Sequence, residues 1–168
     1  MTSSATPAPP PHGAGSRRAL AAFLVATYGV AFAGALASAD AGEVYRSLER
    51  PPWAPPAWVF GPVWTVLYAT IAIAGWLVWR CPDRPGVRRA LTWWSAQLLL
   101  NLLWTPLFFG ARRYGFALAD IVLLLAAIGV TAALFRPLHR TAAALLLPYL
   151  LWVAYATALS AAIWHLNP

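Results

Sequence analysis

A chain of 168 residues that is 61% hydrophobic and 10% charged has too little polar surface for a water-soluble domain of this size, and its mean hydropathy is +0.63. The net charge of +7 comes from twelve arginines and no lysine. The arginines bound long apolar runs, as headgroup-facing residues do, which excludes nucleic acid as a partner. A lone Cys81 excludes an internal disulfide, and His12, His139 and His165 lie too far apart in sequence to suggest a metal site.

In chain order, residues 1–18 read as a disordered tail rich in Pro, Ala and Ser. Residues 19–168 read as one membrane domain. Ala19–Ala39 is uncharged and is the first span. Arg17-Arg18, this run and Ala37-Ser-Ala39 also mimic a signal peptide, but the run exceeds the usual apolar length of about 7–15 residues. A loop follows from about Asp40 to Pro56 and ends in Arg50-Pro-Pro-Trp-Ala-Pro-Pro-Ala-Trp58. Its prolines predict a stiff extended arm over the outer face, with Trp53 and Trp58 at the interface.

The second span covers 57–79 and sets Trp64 and Tyr68 four residues apart, on one face. The third covers 90–111. Trp93, Gln97, Asn101, Trp104 and Phe108 recur at helical spacing, predicting a stripe toward the bundle interior. That stripe is either interhelical glue or the wall of a pocket. The fourth span, 114–135, contains Asp120, an intramembrane carboxylate that marks function by default or bonds to Asn101 or an indole. The fifth, 141–164, contains Pro148, which predicts a kink, and Trp152 and Ala156. The expected fold is therefore an all-α integral membrane protein, a five-transmembrane-helix bundle.

Eight arginines fall on the face shared by the N-terminus and the second and fourth loops, against four on the other. This places the N-terminus in the cytoplasm and the C-terminus outside. The arginine-only basic composition and abundant alanine suggest a bacterial cell membrane. Counting about 1.5 Å per residue, Trp64, Trp104, Asp120 and Ala156 share one layer about 9–12 Å below the outer boundary, with Trp152 and Asn101 slightly deeper. Stacking faces, few polar groups and a lid suit a large flat aromatic ligand, although ordinary aromatic packing would look similar. Hydrolytic, phosphate-loop and zinc motifs are absent from the sequence.

Three blocks carry a resemblance: Arg50-Pro-Pro-Trp-Ala-Pro-Pro-Ala-Trp-Val-Phe-Gly-Pro-Val-Trp-Thr-Val-Leu-Tyr68, Ala96-Gln-Leu-Leu-Leu-Asn-Leu-Leu-Trp-Thr-Pro-Leu-Phe-Phe-Gly110 and Pro148-Tyr-Leu-Leu-Trp-Val-Ala-Tyr-Ala-Thr157. With them the chain resembles the TspO/MBR family of tryptophan-rich sensory and translocator proteins, also called peripheral benzodiazepine receptors. The resemblance implies a five-helix bundle, often a homodimer, surrounded by lipid and binding porphyrins such as protoporphyrin IX or haem, with no obligatory cofactor. By that resemblance the pocket positions are Tyr45, Trp64, Asn101, Asp120, Trp152 and Ala156. Trp53, Tyr68 and Trp104 join them as candidate ligand contacts from the reading of the spans. The implied function is a receptor or sensor. The alternatives are a light-dependent porphyrin-degrading enzyme using Trp64 and Trp152, and a porphyrin or sterol transporter. The sterol motif of animal members has no counterpart here: Leu159 to Asn167 contains no Tyr, Lys or Arg.

Overall fold

A computed structural model describes residues 14–167. Among the described residues every regular element is helical: α1 (Ala14–Leu36), α2 (Ala41–Ser47), α3 (Phe60–Trp79, entered through a 3₁₀ turn at Ala57–Val59), α4 (Val87–Thr105, extended by a π turn at Pro106–Gly110), α5 (Tyr114–Leu138), α6 (Arg140–Leu145) and α7 (Leu147–Leu166). The tail expected over 1–18 lies mostly outside the described residues, but Ala14 to Arg18 already belong to α1. Nothing in that segment breaks a helix, and Trp76 Nε1 donates to the Ser16 carbonyl at 3.0 Å, fixing it to α3.

Among the described residues, four helical stretches are long and apolar enough to cross a membrane: Gly15–Leu36, Ala57–Trp79, Tyr114–Leu138 and Arg140–Leu166. The third predicted span forms its helix as α4 but is not one of these four. The reason is in its side chains: Arg88, Arg89, Thr92, Ser95, Gln97 and Asn101 dilute its apolar content. Gln97 and Asn101 are nevertheless buried, because every polar group they carry inward finds a partner on α3, α4 or α7. In hydrocarbon, a span can hold amides only on these terms.

α4 packs on α5, α5 on α7, and α1 on both α3 and α4. Ile71, Ala74 and Val78 of α3 join Phe135, Ile128 and Leu124 of α5 and Tyr149 and Val153 of α7 in the core. Gly75 makes room for the Trp94 indole: a Cβ there would stand 2.7 Å from Trp94 Cε2. Trp94 is thus the buried tryptophan of its pair, and Trp93, expected to face inward, is 36% exposed. A helical turn separates neighbouring residues by about 100°, so Trp94 points at α3 and Trp93 away from it. A Cβ on Gly34 would stand 3.5 Å from Thr105 Oγ1 of α4. Gly29 has open space where a side chain would be.

The first loop is less extended than its prolines suggest. α2 occupies Ala41–Ser47 and is ended by Leu48 in extended backbone. The proline segment then turns, with Ala54 N–H donating to the Pro51 carbonyl at 3.0 Å. The break expected at Pro148 falls just before it, at Leu146, between α6 and α7, because proline cannot donate to the preceding turn. At the other side of the bundle Arg112 takes φ 51°, ending the π turn in left-handed backbone before α5 begins.

Candidate functional site

A cavity of about 540 Å³ opens between α1, α2, α3 and α4. Small residues on one face of α1, Ala31, Gly34 and Ala35, and Ser38 in the turn after it, recur at helical spacing and leave the space. α2 covers it with Ala41, Gly42 and Tyr45, and Phe60, Trp64 and Tyr68 of α3 form one side. Asn101, Trp104 and Thr105 of α4 form the opposite side. The lining residues include no charged side chain.

Each aromatic wall is held by others. The Trp64 ring lies 5.2 Å from Tyr68 and 6.0 Å from Tyr149. Trp104 stacks on Phe108 at 5.0 Å with 27° between planes and meets Phe109 edge-on at 5.8 Å. These offset and edge-to-face geometries fix ring orientation. Trp104 Nε1 is buried and has no hydrogen-bond partner.

The floor is a continuous hydrogen-bonded relay. Tyr68 donates to Asn101 Oδ1 at 2.7 Å, and Asn101 Nδ2 donates to the Tyr149 hydroxyl at 3.3 Å. Tyr149 donates in turn to Gln97 Oε1 at 2.9 Å, and Gln97 Nε2 to the Trp94 carbonyl at 2.9 Å. Trp94 Nε1 closes onto the Ile71 carbonyl at 3.0 Å. Three helices are thereby tied through two amides and three ring-borne donors.

The roof is also latched. Tyr45 is buried, donates to the Pro55 carbonyl at 2.8 Å and packs edge-on against Phe60 at 5.2 Å. The Arg50 guanidinium sits 4.9 Å above its ring. Burial pushes the Tyr45 hydroxyl above the ordinary tyrosine range, with Arg50 opposing. Further along, Glu49 and Asn167 bond reciprocally: Glu49 N–H to Asn167 Oδ1 at 3.1 Å and Asn167 Nδ2 to the Glu49 carbonyl at 3.0 Å. The end of α7 thus clamps the loop.

Of the residues expected to form the site, Tyr45, Trp64, Tyr68, Asn101 and Trp104 meet on this cavity's wall. The others stand outside it. Trp152 backs Phe60 edge-on at 5.8 Å, its Nε1 is buried without a partner, and its other side lines an apolar groove on the outer surface of α3 and α7. Ala156 is buried on α7. Trp53 is half-exposed, and its carbonyl accepts from the Tyr155 hydroxyl at 2.9 Å. Asp120 is buried on α5 with Oδ2 unpartnered, so the bond to Asn101 or to an indole considered above does not engage that oxygen. Sequence reasoning missed Phe60, the small face of α1 and Tyr149. The spacing of Ala31, Gly34, Ala35 and Ser38 carried a signal for the second. Tyr149 was one aromatic among many in an apolar run.

The TspO/MBR family model matches residues 21–165. Translocator protein of Homo sapiens is 39% identical over 127 residues, covering 73% of this chain and 74% of the human one. Tryptophan-rich sensory protein of Cereibacter sphaeroides is 39% identical over 145 residues, covering 86% and 89%. Tryptophan-rich protein TspO of Archaeoglobus fulgidus is 38% identical over 149 residues, covering 88% and 96%.

Proposed function

This chain belongs to the TspO/MBR family, and from that premise we propose that it is a membrane receptor that binds a tetrapyrrole, protoporphyrin IX or haem, in the cavity beneath α2. The observation that carries this reading is a largely apolar cavity of about 540 Å³ with two indoles, Trp64 and Trp104, one amide and no charged lining residue. Its size falls within the range of about 300–1,000 Å³ that ligand pockets occupy. A macrocycle stacks on the indoles, and its carboxylates turn toward the mouth, where Arg50 lies over Tyr45. The same reading has α4 crossing the membrane as a fifth span, with its amides turned inward, and the arginine-rich end in the cytoplasm.

The test is a titration of protoporphyrin IX into the detergent-solubilised protein, followed by quenching of tryptophan fluorescence. Replacing both Trp64 and Trp104 by Ala weakens binding about tenfold or more, since each aromatic contact contributes about 0.5–1.5 kcal/mol beyond its buried area. An unchanged affinity in that double variant removes this cavity as the site. Reporter fusions in each loop test the crossings, and any number other than five rejects that topology.

One contact favours a second reading, light-driven oxidation of the bound ring by dioxygen. Trp64 lies against Tyr68 at 5.2 Å, a neighbour through which an indole radical could be reduced. Under illumination, an undiminished rate of Soret loss in Trp64→Phe rules it out.

A further inference from the structure

The opposite end of the bundle holds a second, chemically different pocket. About 560 Å³ lies between the α3–α4 loop and the junction of α5 with α6, lined by Arg84, Arg136, His139 and Arg140 together with Ala133, Pro137 and Leu138. We propose that this is a binding site for the phosphate of an anionic membrane lipid.

The pocket is built by specific contacts. Arg84 Nη1 donates to the carbonyls of Pro137 and Leu138, both at 3.1 Å. These bonds fasten the α3–α4 loop across the C-terminus of α5, where carbonyls lack intrahelical partners and the helix dipole is negative. A single guanidinium therefore offsets the negative helix end and still presents its remaining N–H groups beside Arg136 and Arg140. His139 Nδ1 accepts from Ala142 N–H at 3.3 Å. The neutral ring thus carries its proton on Nε2, a further donor in a residue that lines the same space. Three guanidiniums on one pocket match the fork geometry in which arginine holds phosphate oxygens. Asp83, the acidic neighbour in the loop, is exposed and is not on the pocket wall.

Position selects the source of the phosphate. The pocket lies where two candidate membrane-crossing stretches end and begin, Tyr114–Leu138 and Arg140–Leu166. That level is the headgroup layer, and Ala133, about one turn before Arg136 on α5, lies on the hydrocarbon side of that arginine, where a glycerol and acyl chain would pass. Trp79 and Trp93, exposed on α3 and α4 toward the same end, suit an aromatic belt at that interface. A basic pocket between helices at this depth is the arrangement that recognises anionic headgroups.

The experiment uses the full chain in detergent with dansyl-labelled phosphatidylglycerol or phosphatidylcholine in mixed micelles at 0.15 M salt, read by tryptophan-to-dansyl energy transfer. Phosphatidylglycerol half-saturates at a mole fraction at least fivefold below phosphatidylcholine. Arg136→Gln with Arg140→Gln, which removes no intramolecular hydrogen bond described above, abolishes that preference to within twofold. Arg46→Gln with Arg113→Gln, removing equal charge at the other end, leaves it within twofold of the unaltered chain. Equal losses in both double variants reduce the effect to net charge and overturn the proposal. So does equal binding of the two lipids by the unaltered chain. Displacement of phosphatidylglycerol by 10 mM inorganic phosphate at matched ionic strength identifies a site for soluble anions and overturns the lipid assignment. A melting temperature within about 2 °C of the parent keeps either double variant interpretable. Should the Gln pair melt lower, Arg136→Gln alone replaces it, and a retained fivefold preference in that variant counts against the pocket.

Discussion

Tyr68 on α3 and Asn101 on α4 share a 2.7 Å hydrogen bond that joins the cavity wall to the buried amide relay. Asn101 is the only side chain bonded to both Tyr68 and Tyr149 among the described contacts, so removing it orphans two hydroxyl partnerships at once. Asn101→Leu should lower unfolding stability by about 1–2 kcal/mol, the cost of leaving buried polar groups without partners. Denaturant titration in mixed micelles measures it. Tyr68→Phe removes one bond and should cost about half as much by the same bookkeeping.

Gly75 and Gly61 should respond oppositely to alanine. At Gly75 the new Cβ would meet Trp94 at 2.7 Å and Phe23 at 2.9 Å, and Trp94 is anchored by its bond to Ile71. Gly75→Ala should destabilise by about 1–3 kcal/mol, as overpacking does in a filled core. At Gly61 nothing lies within 4 Å, and Gly61→Ala should be neutral or slightly stabilising. Thermal melts of the two variants in one detergent decide the matter.

Asn167 holds the loop through its two bonds with Glu49 and a third to the Ile163 carbonyl at 2.9 Å. Asn167→Ala should leave the bundle folded but raise amide exchange over residues 49–56 several-fold. Hydrogen exchange read by mass spectrometry tests this, and an unchanged rate would show that the prolines alone hold the arm.

The Trp104 indole separates stacking from hydrogen bonding, because its N–H has no partner in the protein. Trp104→Phe should leave stability within about 0.5 kcal/mol, since no bond is broken. Protoporphyrin affinity should fall less in Trp104→Phe than in Trp104→Ala if stacking dominates. Equal losses in the two variants would show that the N–H, not the ring face, meets the ligand.

Alkaline pH should open the roof. Burial raises the Tyr45 hydroxyl above its ordinary value, so the folded loop favours the neutral form, the only one able to donate to Pro55. Its contribution is complete below about pH 10 and is lost as pH rises through the raised folded value. Protease sensitivity of the loop should increase above that pH in the parent chain. Tyr45→Phe should show the sensitivity already at neutral pH, with no further rise from this residue.

Much of this was legible in the chain. The apolar runs and their arginine ends marked the helices of the bundle, because lipid tolerates no unsatisfied backbone. The four-residue interval of Trp64 and Tyr68 put both on the cavity, and Gln97 and Asn101 could be placed inside because amides in lipid need partners. The Trp93–Trp94 pair could not be resolved that way. Lipid accepts an indole as readily as a core does, so either tryptophan could have faced inward. α2 was hidden for another reason: seven residues of mixed polarity ahead of a proline run carry little periodicity.

The sequence by itself determined that the chain folds as membrane-embedded helices, that one of them is polar enough to need an inward face, and that Trp64, Trp104 and Asp120 lie at similar depth. The tertiary structure alone decided which of those indoles enclose space, that Trp64 and Trp104 share a cavity while Trp152 stands behind Phe60, and that Arg84 reaches the end of α5. In water, burial would have separated inside from outside along each helix. In lipid both sides are apolar, so the choice of face falls to packing and to hydrogen bonds between helices, which exist only once the bundle has assembled.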